Sequence, residues 1–162
     1  MLEPAAFENI SEISGDIDPA NGGYAVPGSF DRFVAFHLGS GLYGVPAERV
    51  AEVSRPLELT PLPYSPAGLL GIAGFRDEIV AVVDLRSALE ETPAEPEART
   101  KLVILNAAAN ETRIGFLVDK MFEIVSAPSD PFDGNELITA SAELDTGELK
   151  ILDTGNLRLL LT

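Results

Sequence analysis

GLLGIAGFRDEIVAVVDLR, residues 68–86, holds two apolar runs, 71–75 (GIAGF) and 79–83 (IVAVV), on either side of Arg76, Asp77 and Glu78. Two β-prone runs separated by a few polar residues predict a hairpin. The second run does not alternate apolar with polar. All five of its residues are apolar and three are valine, so both faces of that strand must be covered by protein. Such a strand belongs inside a sheet rather than at its edge. Arg76 is then left at the hairpin tip, a long cation on a rigid support. Asp84 closes the run ahead of good helix formers (LRSALE, residues 85–90), where an N-cap is worth about 0.5–2 kcal/mol against alanine.

The length of 162 residues fits one domain, or two small lobes sharing a core, and 46% apolar residues can build a real interior. A formal charge of −15 argues against nucleic acid and acidic membrane surfaces as partners, since no Lys/Arg cluster offsets the repulsion. No apolar run approaches the ~20 residues that span a bilayer. The opening MLEPAAFENISEIS lacks the basic and apolar regions of a signal peptide. With no cysteine there is no disulfide framework and no thiolate chemistry, and a reducing cytoplasm is the natural compartment.

Residues 1–28 carry five acids and no Lys or Arg, with glycines at 15, 22 and 23, and read as a mobile acidic tail. The spacing of Phe7, Ile10 and Ile13 offers the alternative of a short amphipathic helix that docks on a partner. The ordered domain is expected over 29–162. Residues 33–38 (FVAFHL) and 42–45 (LYGV) form a hairpin across Gly39-Ser40-Gly41. Residues 46–53 (PAERVAEV) suit one or two helical turns, with Val50 and Val53 meeting on one side. The prolines of 59–66 (LTPLPYSP) rule out a central strand there. The stretch 90–99 (EETPAEPEAR) is a loop. Residues 101–105 and 112–118 make another hairpin, 121–125 a further strand, and 126–135 a second polar loop. The last pair, 137–144 and 148–152, joins at Asp145-Thr146-Gly147, and 156–161 closes the chain as a short apolar helix or strand. Eight to ten short strands with little helix describe an all-β sandwich or small closed barrels.

The doubled Asp-Thr-Gly, at 145–147 and 153–155, is what aspartic proteases present, where two carboxylates approach to about 3 Å and share a proton. Here the copies flank one short strand, so their carboxylates fall at its opposite ends. A hairpin turn at the first and a cap at the second explain them better. Asp84, Asp119 and Asp153 each close an apolar run. Converging, they would suit a metal or acid–base work, but none has a second acid at ligand spacing, and polar strand ends facing water are the simpler reading. His37 is the only histidine, which with no cysteine excludes a zinc site, and no Gly-x-Ser-x-Gly elbow accompanies it. It reads as a strand histidine on a half-exposed face. Gly68, Gly71 and Gly74 recur without the Lys-Ser/Thr of a phosphate loop, which points to close strand packing. The residues therefore indicate a binding module rather than an enzyme, with no metal and no cofactor. Arg76, the segment 50–52 and Arg86 are the exposed side chains able to confer specificity.

Residues 71–86 (GIAGFRDEIVAVVDLR) resemble the signature of the CheW family, the coupling proteins of bacterial chemotaxis. Four further segments agree in order and spacing. These are the 33–45 hairpin, VAEV at 50–53, GFLVD at 115–119 followed by EIV at 123–125, and ILD at 151–153 with Leu157. The resemblance covers residues 31–161. It implies an all-β fold of two intertwined SH3-like barrels with short helical turns, no catalysis, and a scaffold role in the cytoplasm. The partners it implies are chemoreceptor cytoplasmic tips and the regulatory domain of a chemotaxis-type histidine kinase. The position matching the family's coupling arginine is Arg76, and Val50, Glu52 and Gly71 match other coupling positions. Phe75, Asp77 and Arg86 complete the expected partner-binding set. Gly74, Phe75, Asp77 and Ala81 depart from the usual Asn, Leu, Gly and Pro, which points to a divergent pathway controlling pili, gliding or development. The alternatives are an all-β protein-binding module outside chemotaxis and a dimeric Asp-Thr-Gly aspartic protease.

Overall fold

The structure is a computed structural model that describes residues 31–92, 97–131 and 135–161. The expected acidic tail at 1–28, and the docking helix offered as its alternative, lie outside the described residues. So do parts of the two loops predicted at 90–99 and 126–135.

Among the described residues, eleven strands form two sheets. The six-stranded sheet contains β1 (Asp31–Leu38), β2 (Gly41–Pro46), β8 (Lys120–Ala127), β9 (Asp130–Pro131), β10 (Ile138–Leu144) and β11 (Gly147–Leu152), in the order β8-β1-β2-β11-β10-β9. The five-stranded sheet contains β3 (Val50–Ser54), β4 (Leu69–Phe75), β5 (Glu78–Val83), β6 (Lys101–Leu105) and β7 (Arg113–Val118), in the order β3-β6-β7-β5-β4. The second sheet is thus inserted in sequence between β2 and β8 of the first, which makes the two SH3-like barrels intertwined as expected. Thr60, in the proline-rich connection, exchanges two backbone hydrogen bonds with Ile72 on the outer side of β4. That single bridge is all the strand character the connection has, in keeping with its prolines.

The continuous apolar runs follow from where the interior lies. In β1, Phe33 and Ala35 face the interior of the first barrel, while Val34, Phe36 and Leu38 face a larger core between the sheets. In β6, Leu102 and Ile104 fill the second barrel, and Val103 and Leu105 join Phe36 and Phe116 in the shared core. β5 divides likewise, with Val80 and Val82 turned to its own barrel and Val83 to the shared core. Side chains alternate faces with period two. A strand covered on both sides therefore needs an apolar residue at every position. β5 lies between β7 and β4, inside its sheet as its composition requires.

The helical reading of 46–53 is overturned. Only Ala47–Arg49 turn, as a 3-10 helix, and Val50–Ser54 are a strand paired antiparallel with β6. A β-bulge between Val50 and Glu52 leaves Val50 opposite Leu105 and Val53 opposite Val103, on one face of β3. Val50 packs on the shared core, and Val53 stays 36% exposed at its margin. The predicted loop at 126–135 is shorter than expected, because Ser126 and Ala127 continue β8 and Asp130–Pro131 pair with β10. The remaining hairpins fall where the turn residues put them, and the chain closes in a 3-10 helix, Asn156–Leu161.

Candidate functional site

The β4–β5 hairpin turns on Arg76 and Asp77, with φ of 51° and 66°. Two positive φ values at the central residues mark the tight hairpin turn whose twist matches the strands, a turn that favours glycine or asparagine. An arginine there is unusual. Its side chain remains 72% exposed, with Nη1 3.5 Å from Glu52 Oε1 and the guanidinium 4.9 Å from the centre of the Phe75 ring. The neighbouring Asp77 makes no ion pair among the described residues; Glu52, from the far edge strand of the same sheet, supplies the partner instead. Arg76 is thus aimed, stacked on one side and steered on the other, with most of its surface still open to a partner.

Glu52 also lines a groove between the two sheets, together with Val50, Val53, Met121 and Ile124. Ile124 is 57% exposed and Val53 36%. The sequence reading named Val50 and Glu52 but missed Ile124 and Met121. Ile124 lies opposite Val34, on the other face of β8 from the buried Val125 and Ala127, and an exposed apolar residue on that face was the available signal.

Arg86 belongs elsewhere. Its side chain is only 16% exposed, pairs with Asp119 Oδ1, and donates from Nη1 to the Thr92 carbonyl at 2.8 Å. The expectation of an exposed, specificity-bearing Arg86 is corrected: helix α1 (Leu85–Ala88) turns it back against the protein. Gly71 is likewise buried. A Cβ there would stand 2.8 Å from the Thr60 carbonyl oxygen, so closure of the barrel requires glycine at that position. Gly68 packs as closely on Leu160, as foreseen, whereas Gly74 has nothing within 4 Å and has no packing reason to be glycine.

The three run-closing aspartates do not simply face water. Asp84 accepts from Ser87 N at 3.1 Å as the N-cap of α1. Asp119 divides its oxygens between Arg86 and Gly39 N (2.7 Å). Asp153 Oδ1 accepts from Gly155 N (3.1 Å) and Asn156 N (3.2 Å), opening the last 3-10 helix. Each fixes a chain junction. Asp145 is exposed in the β10–β11 turn, so the two Asp-Thr-Gly copies stand at opposite ends of β11, as expected. His37 is half-buried in β1 opposite Lys120; burial and the Lys120 charge both lower its pKa.

A second lock joins the β1–β2 hairpin to the chain after α1. The Tyr43 hydroxyl donates to Glu91 Oε2 at 2.6 Å, and Ser40 N donates to Glu91 Oε1 at 3.1 Å. Burial, and then the Glu91 bond and charge, push the Tyr43 hydroxyl above its ordinary range. The same bond holds Glu91 below the usual carboxylate range.

Two interlocked β-barrels thus carry a largely exposed cationic tip and an open apolar groove. The profile of the CheW-like domain family matches residues 32–161, and the chain belongs to that family. Among similar proteins, FrzA of Myxococcus xanthus is 40% identical over 73 residues, 45% of this chain and 46% of FrzA. The aligned part thus spans about half of FrzA's length. A probable chemotaxis protein CheW of Rhizobium etli is 29% identical over 112 residues, 69% of this chain and 71% of that protein. The crystal structure of the scaffolding protein TtCheW from Thermoanaerobacter tengcongensis matches with a TM-score of 0.69. It is 22% identical, and the match covers 79% of this chain and 92% of that one. At that identity the likeness establishes the shared fold.

Proposed function

We propose that this protein is a non-catalytic cytoplasmic adaptor that couples chemoreceptor tips to the regulatory domain of a chemotaxis-type histidine kinase. The observation that carries the reading is the Arg76 tip, 72% exposed yet held by Glu52 and Phe75 beside an open groove. A surface recognised by two proteins must hold its shape before either arrives, because ordering side chains on binding subtracts from affinity. Interfaces of ordinary size bury about 800 Å² per partner, and a few central anchors carry most of the energy. Arginine and aromatic residues are favoured anchors, and Arg76 with Phe75 supplies both. Val50, Glu52, Val53 and Ile124 then form the apolar and acidic surround, and Asp77 sets the charge beside the anchor. Gly71 and Arg86 contribute by framing this face rather than by touching a partner.

The departures from the family signature, together with the FrzA likeness, favour a divergent pathway controlling pili, gliding or development. The test is reconstitution. The kinase regulatory domain and a receptor tip fragment from the same organism are mixed with and without the protein and resolved by size exclusion. A ternary complex that forms only when the protein is present supports the adaptor reading. Failure to bind either component, with the protein folded, rejects it.

A further inference from the structure

Away from the coupling face, the junction where β7 hands over to β8 encloses a small cavity lined by His37, Gly39, Glu97, Arg99, Thr100, Asp119 and Lys120. His37 and Lys120 face each other across β1 and β8, and Asp119 N donates to the His37 carbonyl at 2.9 Å. The opposite wall is a turn at 97–100. There Thr100, 6% exposed, accepts from Glu97 N at 2.7 Å and donates its own N–H to the Glu97 carbonyl at 3.0 Å. Backbone hydrogen bonds thus fix both walls.

Neither Arg99 nor Lys120 forms an ion pair among the described residues, although two acids line the same cavity. Asp119 is already committed, one oxygen to Arg86 and the other to Gly39 N. Counting Arg86 behind Asp119, three cations stand against two carboxylates, a local positive excess in a chain of net charge −15. Arginine offers a planar fork and lysine a compact point charge, the two side chains that most often hold phosphate oxygens. The volume, about 260 Å³, falls below the usual range for drug-sized ligands and suits a small anionic group.

We propose that this cavity is an anion site for a phosphate group, inorganic or borne as a phosphomonoester, held by Arg99 and Lys120 with His37 alongside. The site is separate from the coupling face, and the proposal stands or falls without the adaptor reading.

His37 is the only histidine, so the imidazole signals in a proton NMR spectrum of the whole protein report this cavity alone. Inorganic phosphate is titrated in at constant ionic strength, balanced with chloride. The expected result is a saturable shift of the His37 signals, with the His37 pKa raised when phosphate is bound. Lys120→Gln and Arg99→Gln should each weaken the apparent affinity tenfold or more, with unchanged circular dichroism. Free phosphoserine is the second arm. Tighter binding than inorganic phosphate assigns the site to a monoester, and weaker binding assigns it to the free ion. A drift that chloride alone reproduces, or saturation that survives both substitutions, overturns the proposal.

Discussion

Arg76 and Arg86 stand ten residues apart in one motif, at opposite ends of β5, and the fold treats them in opposite ways. Arg76 leaves the strand at a tight turn with positive φ, stays 72% exposed, and has one acid at 3.5 Å. Arg86 leaves it through a capped helical turn, is 16% exposed, and is held by a carboxylate and a carbonyl. Equal charge, and nearly equal distance from the same strand, give the proposed anchor in one case and a rivet in the other. The difference lies in what each strand end is tied to. The tip joins β4 and β5, with one ion pair reaching Glu52 of β3. The other end meets Asp119, which also binds Gly39 and so links α1, the β1–β2 turn and the passage from β7 to β8. Removing the rivet should loosen the frame, whereas removing the anchor should change only what the frame presents.

The sharpest break of that contrast is Arg86→Ala. Taking one partner from a largely buried pair leaves the other carboxylate without its cation, and thermal melting should show a loss of roughly 2–4 kcal/mol. A loss below about 0.5 kcal/mol, the level expected of a surface substitution, would remove the distinction between the two arginines. Gly71→Ala comes next. Its new Cβ would meet the Thr60 carbonyl oxygen at 2.8 Å, and separating two backbone segments costs about 1–3 kcal/mol by the usual measure of overpacking. The same change at Gly74, which has open space around it, should leave melting nearly unaltered.

Tyr43→Phe sharpens the contrast from the side of the frame. It deletes the bond to Glu91 and should lower stability by about 0.5–1.5 kcal/mol near neutral pH. Because the folded pKa of Glu91 is depressed, its contribution is present above the unfolded carboxylate pKa and is lost as pH falls through the folded value. Tyr43 runs the other way. Its folded pKa is raised, so that contribution is present below the unfolded tyrosine pKa and is lost as pH rises toward the folded value. Chemical denaturation across acid and alkaline pH should show both slopes flattened in Tyr43→Phe. The smallest effect belongs to the tip. Asp77→Gly relieves a non-glycine residue at φ 66° and should raise stability by less than about 1 kcal/mol, read as a slight rise in melting temperature.

The sequence made the frame legible because burial on both faces leaves a direct trace, unbroken apolar runs at 33–36 of β1, 79–83 of β5 and 102–105 of β6. The caps were legible at Asp84 and Asp153 because an aspartate ahead of a helical turn has a specific job. Val50–Ser54 were misread because a short run with apolar residues three apart fits a helical turn, and only the edge of β6, far along the chain, selects the strand. Arg86 was misread for a related reason: its partner Asp119 lies in another hairpin, and nothing local in residues 84–90 announces that contact. Ile124 was overlooked because an exposed isoleucine becomes informative only once its neighbours' phase is known. Local chemistry thus wrote the scaffold plainly, while the surface depended on contacts between distant segments.

The most direct measurement compares wild type and Arg76→Ala by calorimetric titration against the kinase regulatory domain, with a melting curve for each. The account predicts weaker binding by about 1–3 kcal/mol, the range of an interface anchor, and a melting temperature almost unchanged. Undiminished affinity for both the kinase domain and the receptor tip would contradict it. So would a fall in melting temperature as large as that of Arg86→Ala, which would make Arg76 part of the frame.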